Sequence, residues 1–260
     1  MRTALTIAGS DSGAGAGIQA DLKTFAAHGV YGLCAITAVT AQNTQGVSMV
    51  AEMLPTVVAA QIADVTRDFG VHAAKTGMLA NAAIIRAVAR QLRECRIAPL
   101  VLDPVMVAKS GASLLHADAV DALMTELLPL AHVVTPNIPE AEVLTGLTIR
   151  SAEDCRAAAR RLCALGASAV IIKGGHLDAP GITDLLFDGR TFEAFHHERV
   201  AGTNTHGTGC TFAAALTSHL ALGRILRDAV PLAQAYVAGA IRAGLALGHG
   251  HGPMNHFWNR

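Results

Sequence analysis

The chain contains the stretch Asn204-Thr205-His206-Gly207-Thr208-Gly209-Cys210-Thr211, which leads directly into the small apolar run Phe212-Ala213-Ala214-Ala215-Leu216. Two glycines separated by a threonine allow the backbone to turn sharply before a helix begins. The first N–H groups of a helix have no partners inside the helix, and the helix dipole makes that end positive. The stretch therefore predicts a turn and helix start that bind an anion, with Cys210 in the first helical turn beside it. An ordinary glycine turn with a buried cysteine is the simpler interpretation of Gly-Thr-Gly alone, and it fits the full octet less well.

The composition restricts the class of protein. The chain has 260 residues, of which 52% are hydrophobic and 15% are charged, so we expect a large core in a single domain spanning 1–260. Lys plus Arg and Asp plus Glu number 20 each, which argues against nucleic acid or an anionic membrane surface as a partner. The five cysteines include no Cys-x-x-Cys pair, and no leader segment or run of about 20 apolar residues stands out. We therefore expect a soluble, cytoplasmic protein.

Short β-branched or apolar runs alternate with longer helical patterns along the whole chain. This alternation predicts an α/β fold in which helices flank both faces of a mostly parallel central sheet. The predicted strands cover residues 5–8, 33–39, 47–53, 71–75, 100–103, 132–134 and 169–173, with a hairpin of 184–187 and 191–195 around Asp188-Gly189-Arg190. The predicted helices cover residues 18–27, 55–69, 82–92, 119–127, 152–165, 208–222 and 226–247.

Polar and glycine residues cluster in the loops that follow the predicted strands. In parallel sheets, ligands bind beyond the carboxyl ends of the strands, so these loops are expected to form one site. The loops cover residues 9–13, 40–43, 75–78, 103–106, 135–137 and 173–176.

Two common nucleotide motifs do not fit. The run Gly13-Ala14-Gly15-Ala16-Gly17 follows a predicted strand, but Ile18 stands where a dinucleotide fingerprint needs its third glycine. The second predicted strand also ends in Thr40-Ala41-Gln42, without the acidic residue that would hold a ribose. A Walker A motif occurs nowhere in the sequence. A nucleotide would therefore be held in another way.

Taken together, the motifs resemble the hydroxymethylpyrimidine/phosphomethylpyrimidine kinase family over essentially the full chain. The matching segments are 9–23, 37–44, Lys75-Thr76-Gly77-Met78, Asp103-Pro104-Val105-Met106, Lys173-Gly174-Gly175-His176, 204–211, and Gly250-His251-Gly252-Pro253 with Asn255-His256-Phe257.

The resemblance implies a ribokinase-like three-layer α/β/α fold and an ATP-dependent, Mg²⁺-dependent kinase of thiamine biosynthesis. Such enzymes phosphorylate 4-amino-5-hydroxymethyl-2-methylpyrimidine to its monophosphate and then to the diphosphate. A homodimer is implied by the same resemblance. Two alternatives remain at this point: a pyridoxine/pyridoxal kinase, and a non-catalytic pyrimidine-binding protein that kept the fold.

The resemblance also assigns the phosphate chemistry. The backbone N–H groups of Gly207, Thr208, Gly209 and Cys210 would hold the oxygens of the transferring phosphoryl group. Lys173 would reach the nucleotide phosphates. Cys210 stands where relatives acting on sugars and pyridoxal carry Asp, and it would either position or deprotonate the substrate hydroxyl.

The carboxamide of Gln42 offers both a donor and an acceptor to an aminopyrimidine edge. Asp21, Met78 and Val105 would complete the substrate pocket, although Asp21 could be a solvated helix charge and Met78 plain core. On the nucleotide side, Asn137 would join Lys173 and Thr208, and Glu140 and Asp103 would bind Mg²⁺, hard oxygen ligands of the kind this ion prefers. Asn137-x-x-Glu140 is also a common helix-start signal. The histidine-rich end (His249, His251, His256) is interpreted as a structural tail, and residues 108–113 as a candidate flexible segment over the site.

Overall fold

The computed structural model describes residues 1–107, 111, 114–116, 118–175, 181–200, 202 and 204–259. Its strands are β1 (Thr3–Asp11), β2 (Tyr31–Gln42), β3 (Val47–Glu52), β4 (Ala73–Thr76), β5 (Leu100–Leu102), β6 (Val133–Val134), β7 (Val170–Ile172), β8 (Gly181–Phe187) and β9 (Phe192–Glu198). Its helices are α1 (Gly17–Ala27), α2 (Pro55–Phe69), α3 (Ala82–Glu94), α4 (Ala119–Ala122), α5 (Ile138–Thr145), α6 (Ala152–Ala164), α7 (Thr208–Ala221) and α8 (Leu226–Arg242).

The described strands form one sheet in the order β3-β2-β1-β4-β5-β6-β7-β8-β9. The pairs from β2 through β7 are parallel, whereas β3 pairs antiparallel with β2 and the hairpin β8–β9 pairs antiparallel with β7. The short central strands β5, β6 and β7 are buried at every position, as expected for strands covered on both faces. The prediction of a mostly parallel α/β sheet is confirmed.

Alternate strand residues supply two separate cores. Leu100 and Leu102 of β5 pack with α2, α3, α4, α5 and α6, while Val101 between them packs with α1, α7 and α8. This period-two division places helices on both faces of the sheet. The result is the three-layer arrangement that the sequence resemblance implies.

Helix α7 lies deepest among these helices. Its residues from Thr211 to Ala221 are all buried, and Ala213, Ala214 and Ala215 are fully inaccessible. These small side chains allow the helix to pack closely on β1, β4 and β5 and between α1 and α8. The N-terminus of α7 is thereby placed at the carboxyl ends of the middle strands.

Two predicted helices differ clearly from the observed ones, and one observed helix was not predicted. The predicted helix 226–247 ends at Arg242, because the chain then turns so that Leu245 N–H donates to Pro253 O. The predicted helix 119–127 is α4 followed by a π-helical turn, Leu123–Leu127. Helix α5 was not predicted as such, since its eight residues give too short a pattern, although Asn137 and Glu140 do form its capping box.

The candidate flexible segment 108–113 lies outside the described residues except for Gly111. Within the described part of the chain, none of the helices has the length and apolar character needed to span a membrane.

Candidate active site

A cavity of about 880 Å³ runs along the carboxyl ends of the strands, from β2 at one end to β8 and β9 at the other. Because neighbouring strands contribute neighbouring loops, the strand order also orders the residues along the cavity. Every predicted site residue except Asp21 lines it: Gln42, Met78, Asp103, Val105, Asn137, Glu140, Lys173, Gly207, Thr208, Gly209 and Cys210.

The anion loop, defined here as residues 204–210, is held in a conformation that requires glycine. Gly207 has a φ of +80°, and a Cβ at this position would overlap the carbonyl oxygen of Gly15. Thr208 begins α7, and its hydroxyl donates to Thr205 O at 2.6 Å. A Cβ on Gly209 would lie 3.5 Å from Lys173 Nζ, so the first turn of α7 faces the lysine. The helix start and Lys173 therefore present positive charge to the same point in the cavity.

Asp11 and His206 join the anion loop to the glycine loop that follows β1. The Asp11 carboxylate accepts hydrogen bonds from the N–H groups of Gly13, Gly15 and Ala16, and its Oδ2 lies 3.0 Å from His206 Nε2. Burial acts to raise the pKa of Asp11, but the hydrogen bonds from His206 and from the backbone N–H groups outweigh it and hold the pKa below its ordinary value. The sequence motifs contained both residues without indicating this pairing.

Asp21 lies beneath the cavity, which corrects the prediction that it contacts the substrate. Its side chain is fully buried, and both carboxylate oxygens accept from Lys75 Nζ at 3.0 Å. Thr6 donates a further hydrogen bond to Asp21 Oδ2 at 2.6 Å. Burial acts to lower the pKa of Lys75, but the charge and hydrogen bond of Asp21, together with Cys210 and Asp103, outweigh it and raise the pKa above its ordinary value. The pair fixes α1 against β1 and β4 under the anion loop.

Cys210 is a protonated thiol at neutral pH. Burial raises its pKa to about 11; the Lys75 charge and the Gly17 N–H act in the opposite direction, and Asp21 and Asp103 add to the rise. Cys210 is the last residue of the anion loop and lies in the first turn of α7, as the sequence predicts. A thiol with this pKa is a poor base near neutral pH.

Two carboxylates and one lysine meet at the ends of β5, β6 and β7. Lys173 Nζ donates to Asp103 Oδ1 at 3.2 Å, whereas Asp103 Oδ2 is buried without a hydrogen-bond partner among the described residues. Burial and the nearby charge of Asp103 raise the pKa of Glu140 to about 7, against the opposing charge of Lys173. Asn137 lines the cavity and also caps α5, so the helix-start interpretation of the Asn-x-x-Glu pattern is confirmed, while its role toward a nucleotide or Mg²⁺ stays a prediction.

Gln42 and Met78 form a fixed, partly apolar end of the cavity. Gln42 Oε1 accepts from the Thr40 hydroxyl at 2.9 Å, and its Nε2 lies 3.4 Å from His206 Nε2. Met78 is held through its carbonyl by the Thr37 hydroxyl at 2.6 Å. Met78 is nearly buried and still lines the cavity, as does Val105, so this end offers one amide and an apolar wall.

The opposite end carries a polar group that the sequence analysis missed. Asp184 of β8 accepts from the Gly174 N–H at 2.9 Å and from Gln234 Nε2 at 2.7 Å, and lies 3.5 Å from His197 Nε2. The Asp184 hydrogen bond raises the pKa of His197, although burial opposes it. His176, in the predicted loop after Lys173, lies outside the described residues. Apolar side chains complete this end of the cavity: Phe212, Val237, Ala238 and Ile241.

Comparison with known proteins gives consistent relatives. The family model described as Phosphomethylpyrimidine kinase matches residues 11–255. The hydroxymethylpyrimidine/phosphomethylpyrimidine kinase of Bacillus subtilis is 51% identical over 255 residues, covering 98% of this chain and 94% of that protein. The thiamine biosynthesis bifunctional protein ThiED of Geobacter sulfurreducens is 54% identical over 252 residues. That match covers 97% of this chain, which spans only 51% of the bifunctional relative.

Solved structures of similar shape include two kinds of vitamin kinase. The ADP complex of Bacillus subtilis pyridoxal kinase superposes with a TM-score of 0.91 at 41% identity, covering 98% of this chain and 97% of that one. The phosphomethylpyrimidine kinase of Clostridium difficile superposes with a TM-score of 0.83 at 42% identity, covering 93% of this chain and all of that one.

The buried Lys75–Asp21 pair leads to a stability prediction. Lys75→Met should lower the free energy of unfolding by about 3–5 kcal/mol, because the Asp21 charge would be left buried without a partner. Lys75→Met combined with Asp21→Leu should recover most of this loss, which urea unfolding would measure. Arg67→Met, which removes an exposed ion pair with Asp64, serves as the control and should cost less than about 1 kcal/mol. Equal losses in the single and double variants would contradict the role of charge pairing.

Proposed function

The chain belongs to the phosphomethylpyrimidine kinase family, and from that premise we propose how its cavity carries out the reaction. The protein is a kinase that phosphorylates hydroxymethylpyrimidine and then its monophosphate, for thiamine biosynthesis. One observation carries the assignment of residues: the start of α7, Lys173 and Cys210 line the middle of a single cavity that has Gln42 at one end and Asp184 at the other.

The central part of the cavity suits phosphoryl transfer from ATP. The hydroxymethyl oxygen attacks the γ-phosphorus, the bond from phosphorus to the ADP oxygen breaks, and the hydroxyl proton is released to water as the new ester forms. Such a reaction depends mainly on positioning and on stabilising charge on the phosphoryl oxygens. We assign that charge stabilisation to the N–H groups of Gly207, Thr208, Gly209 and Cys210 and to the Lys173 ammonium, which lies close to the first turn of α7. In the second round, a phosphate oxygen of the monophosphate attacks another ATP in the same way.

The pyrimidine is assigned to the β2 end of the cavity. Gln42 is already oriented by Thr40 and lies beside His206, so its amide can pair with the aminopyrimidine edge. Met78 and Val105 supply the apolar wall for the ring. ATP then extends toward Asp184, with its adenine against the apolar residues of α8 and its phosphates near Lys173, Asn137 and Thr208.

The acidic residues fit a Mg²⁺ ion. Asp103 Oδ2 is buried without a partner among the described residues, and burial together with the nearby charge of Asp103 raises the pKa of Glu140. Carboxylate oxygens of this kind are the ligands that a hard divalent cation prefers. When bound, Mg²⁺ would neutralise charge on the nucleotide phosphates. Asp103 and Glu140 would hold it, mainly through water.

The nine described strands form one sheet, which supports the proposal that residues 1–260 make a single kinase domain.

All five cysteines are free thiols, which supports a reducing, cytoplasmic location.

A coupled assay with ATP and Mg²⁺ tests the function, with hydroxymethylpyrimidine and pyridoxal offered in parallel and products resolved by mass spectrometry. We expect the pyrimidine monophosphate and then the diphosphate. Gln42→Leu should raise the KM for the pyrimidine about tenfold or more, since a paired amide is lost. Gln45→Leu makes the same change at an exposed neighbour and should behave as wild type. Turnover of pyridoxal alone would favour the pyridoxal kinase alternative, and tight pyrimidine binding without turnover would favour a binding protein.

The role of Cys210 can be tested by its pH dependence. Because its pKa is about 11, the thiol stays protonated through the neutral range, so Cys210→Ser should keep most of kcat and the same profile between about pH 6 and 9. At limiting Mg²⁺, both proteins should lose activity as the pH falls through about 7, because Glu140 then takes up a proton in competition with Mg²⁺. Higher Mg²⁺ should move that limb to lower pH, since the ion binds the deprotonated carboxylate. Loss of activity in Cys210→Ser, with a basic limb absent from the variant, would instead identify a thiolate base.

A homodimer through the β3 edge is the proposed assembly. Strand β3 lies at one end of the sheet order, and its neighbourhood exposes the large apolar side chains of Met49 (69%) and Leu54 (67%). A second copy could add its own β3 to this edge and cover these side chains. Sedimentation should give about twice the chain mass of 26.8 kDa, and Met49→Lys should shift it toward the monomer. A monomeric wild type at micromolar concentration would contradict this assembly.

A further inference from the structure

The C-terminal strap, residues 248–253, packs beside the cavity end that carries Gln42. It follows α8 and has the sequence Gly248-His249-Gly250-His251-Gly252-Pro253. Its glycines alternate with His249 and His251, both of which are exposed. The glycines lie against Thr44 and Asn204, which are close in sequence to residues that line the cavity. The alternation therefore serves close packing of the strap.

Thr44 is the main contact of the strap on the pyrimidine side. Its hydroxyl oxygen accepts from the N–H groups of His249 and Gly250, each at 3.2 Å, and its carbonyl accepts from His251 N–H at 3.0 Å. A Cβ on Gly248 would overlap the Thr44 hydroxyl, and a Cβ on Gly250 would overlap the Thr44 carbonyl. Thr44 thus receives three consecutive backbone N–H groups of the strap.

The other end of the strap contacts the anion loop. A Cβ on Gly252 would overlap Asn204 Oδ1, and His206 N–H donates to Gly252 O at 3.4 Å. His206 also forms an isolated β-bridge with Pro253. The strap therefore connects Thr44 directly with the segment that begins the phosphate site.

The substrate turn, residues 42–46, is stiff enough to pass this restraint to Gln42. Asn43 Oδ1 accepts from the N–H groups of Gln45 and Gly46, and Asn43 N–H donates to Gly46 O. The backbone of Gln42 exchanges two hydrogen bonds with the Ser12 hydroxyl. A small pocket enclosed by the turn, His206 and His251 marks where the three segments meet.

We propose that Thr44 is a positioning residue that, through the strap, holds Gln42 at a fixed distance from the anion loop. The pyrimidine ring and the phosphoryl group bind to these two segments, so their separation decides whether the hydroxymethyl oxygen reaches the phosphorus. The proposal rests on the function assigned above, because it requires the pyrimidine to bind at Gln42.

Steady-state kinetics with hydroxymethylpyrimidine and ATP test this with two pairs of variants. Thr44→Val removes the hydroxyl acceptor at nearly constant volume, while Thr44→Ser keeps it. Gly250→Ala disturbs the same contact from the strap side, while Thr125→Val makes the same change as Thr44→Val at an exposed threonine far from the cavity and serves as the control. Hydrogen exchange of the His249, Gly250 and His251 amides reports on the strap independently of activity.

We expect Thr44→Val and Gly250→Ala to raise the KM for the pyrimidine about tenfold, with the KM for ATP within about twofold of wild type and faster exchange of the strap amides. Thr44→Ser and Thr125→Val should match wild type. Unchanged pyrimidine KM despite faster exchange would overturn the proposal, as would unchanged exchange or an equal rise of both KM values. If wild type itself fails to turn over the pyrimidine, the proposed function fails, and the exchange data still decide whether Thr44 holds the strap.

Discussion

The N-terminus of α7 has to open into the cavity, because the helix behind it is buried from Thr211 to Ala221 while Gly207 to Cys210 line the cavity wall. The partial positive charge of that end is therefore directed at whatever the cavity binds. The rest of the site can be understood as a response to this constraint. Gly207 provides the turn into the helix, Lys173 adds a full charge beside it, and Asp103 balances that lysine.

A second set of charges lies one layer below. Lys75 and Asp21 form a pair with no exposure to solvent, and their charges act on the thiol of Cys210 from beneath. Since the two charges oppose each other, burial dominates and the thiol keeps its proton. In the upper layer, by contrast, Asp103 and Glu140 outnumber Lys173, so one carboxylate holds a proton near neutral pH until a cation arrives.

The sequence predicts most of the fold and part of the site, for identifiable reasons. Buried parallel strands are continuous apolar runs, so β5 and β7 could be located, and the loops after them gave Asp103 and Lys173. The anion loop was recognised because its glycines and the helix start are adjacent in the chain. Asp21 was misplaced because its burial depends on its pairing with Lys75, which lies 54 residues away in the chain. No sequence pattern indicates that pairing. His206 and Asp11 were missed as a pair for the same reason, being 195 residues apart. Helix α5 is eight residues long, too few for a clear period.

The contact between the two glycine loops has a consequence for the history of the protein. A side chain at Gly207 would strike the backbone of Gly15, and a side chain at Gly15 would strike the ring of His206. A side chain at Gly207 cannot be compensated by a smaller residue at Gly15, since glycine is already the smallest. A side chain at Gly15 would require a smaller residue in place of His206, which would remove the partner of Asp11. The two loops, remote in the gene, therefore constrain each other, and we expect recombination between relatives to be tolerated where it keeps both loops together.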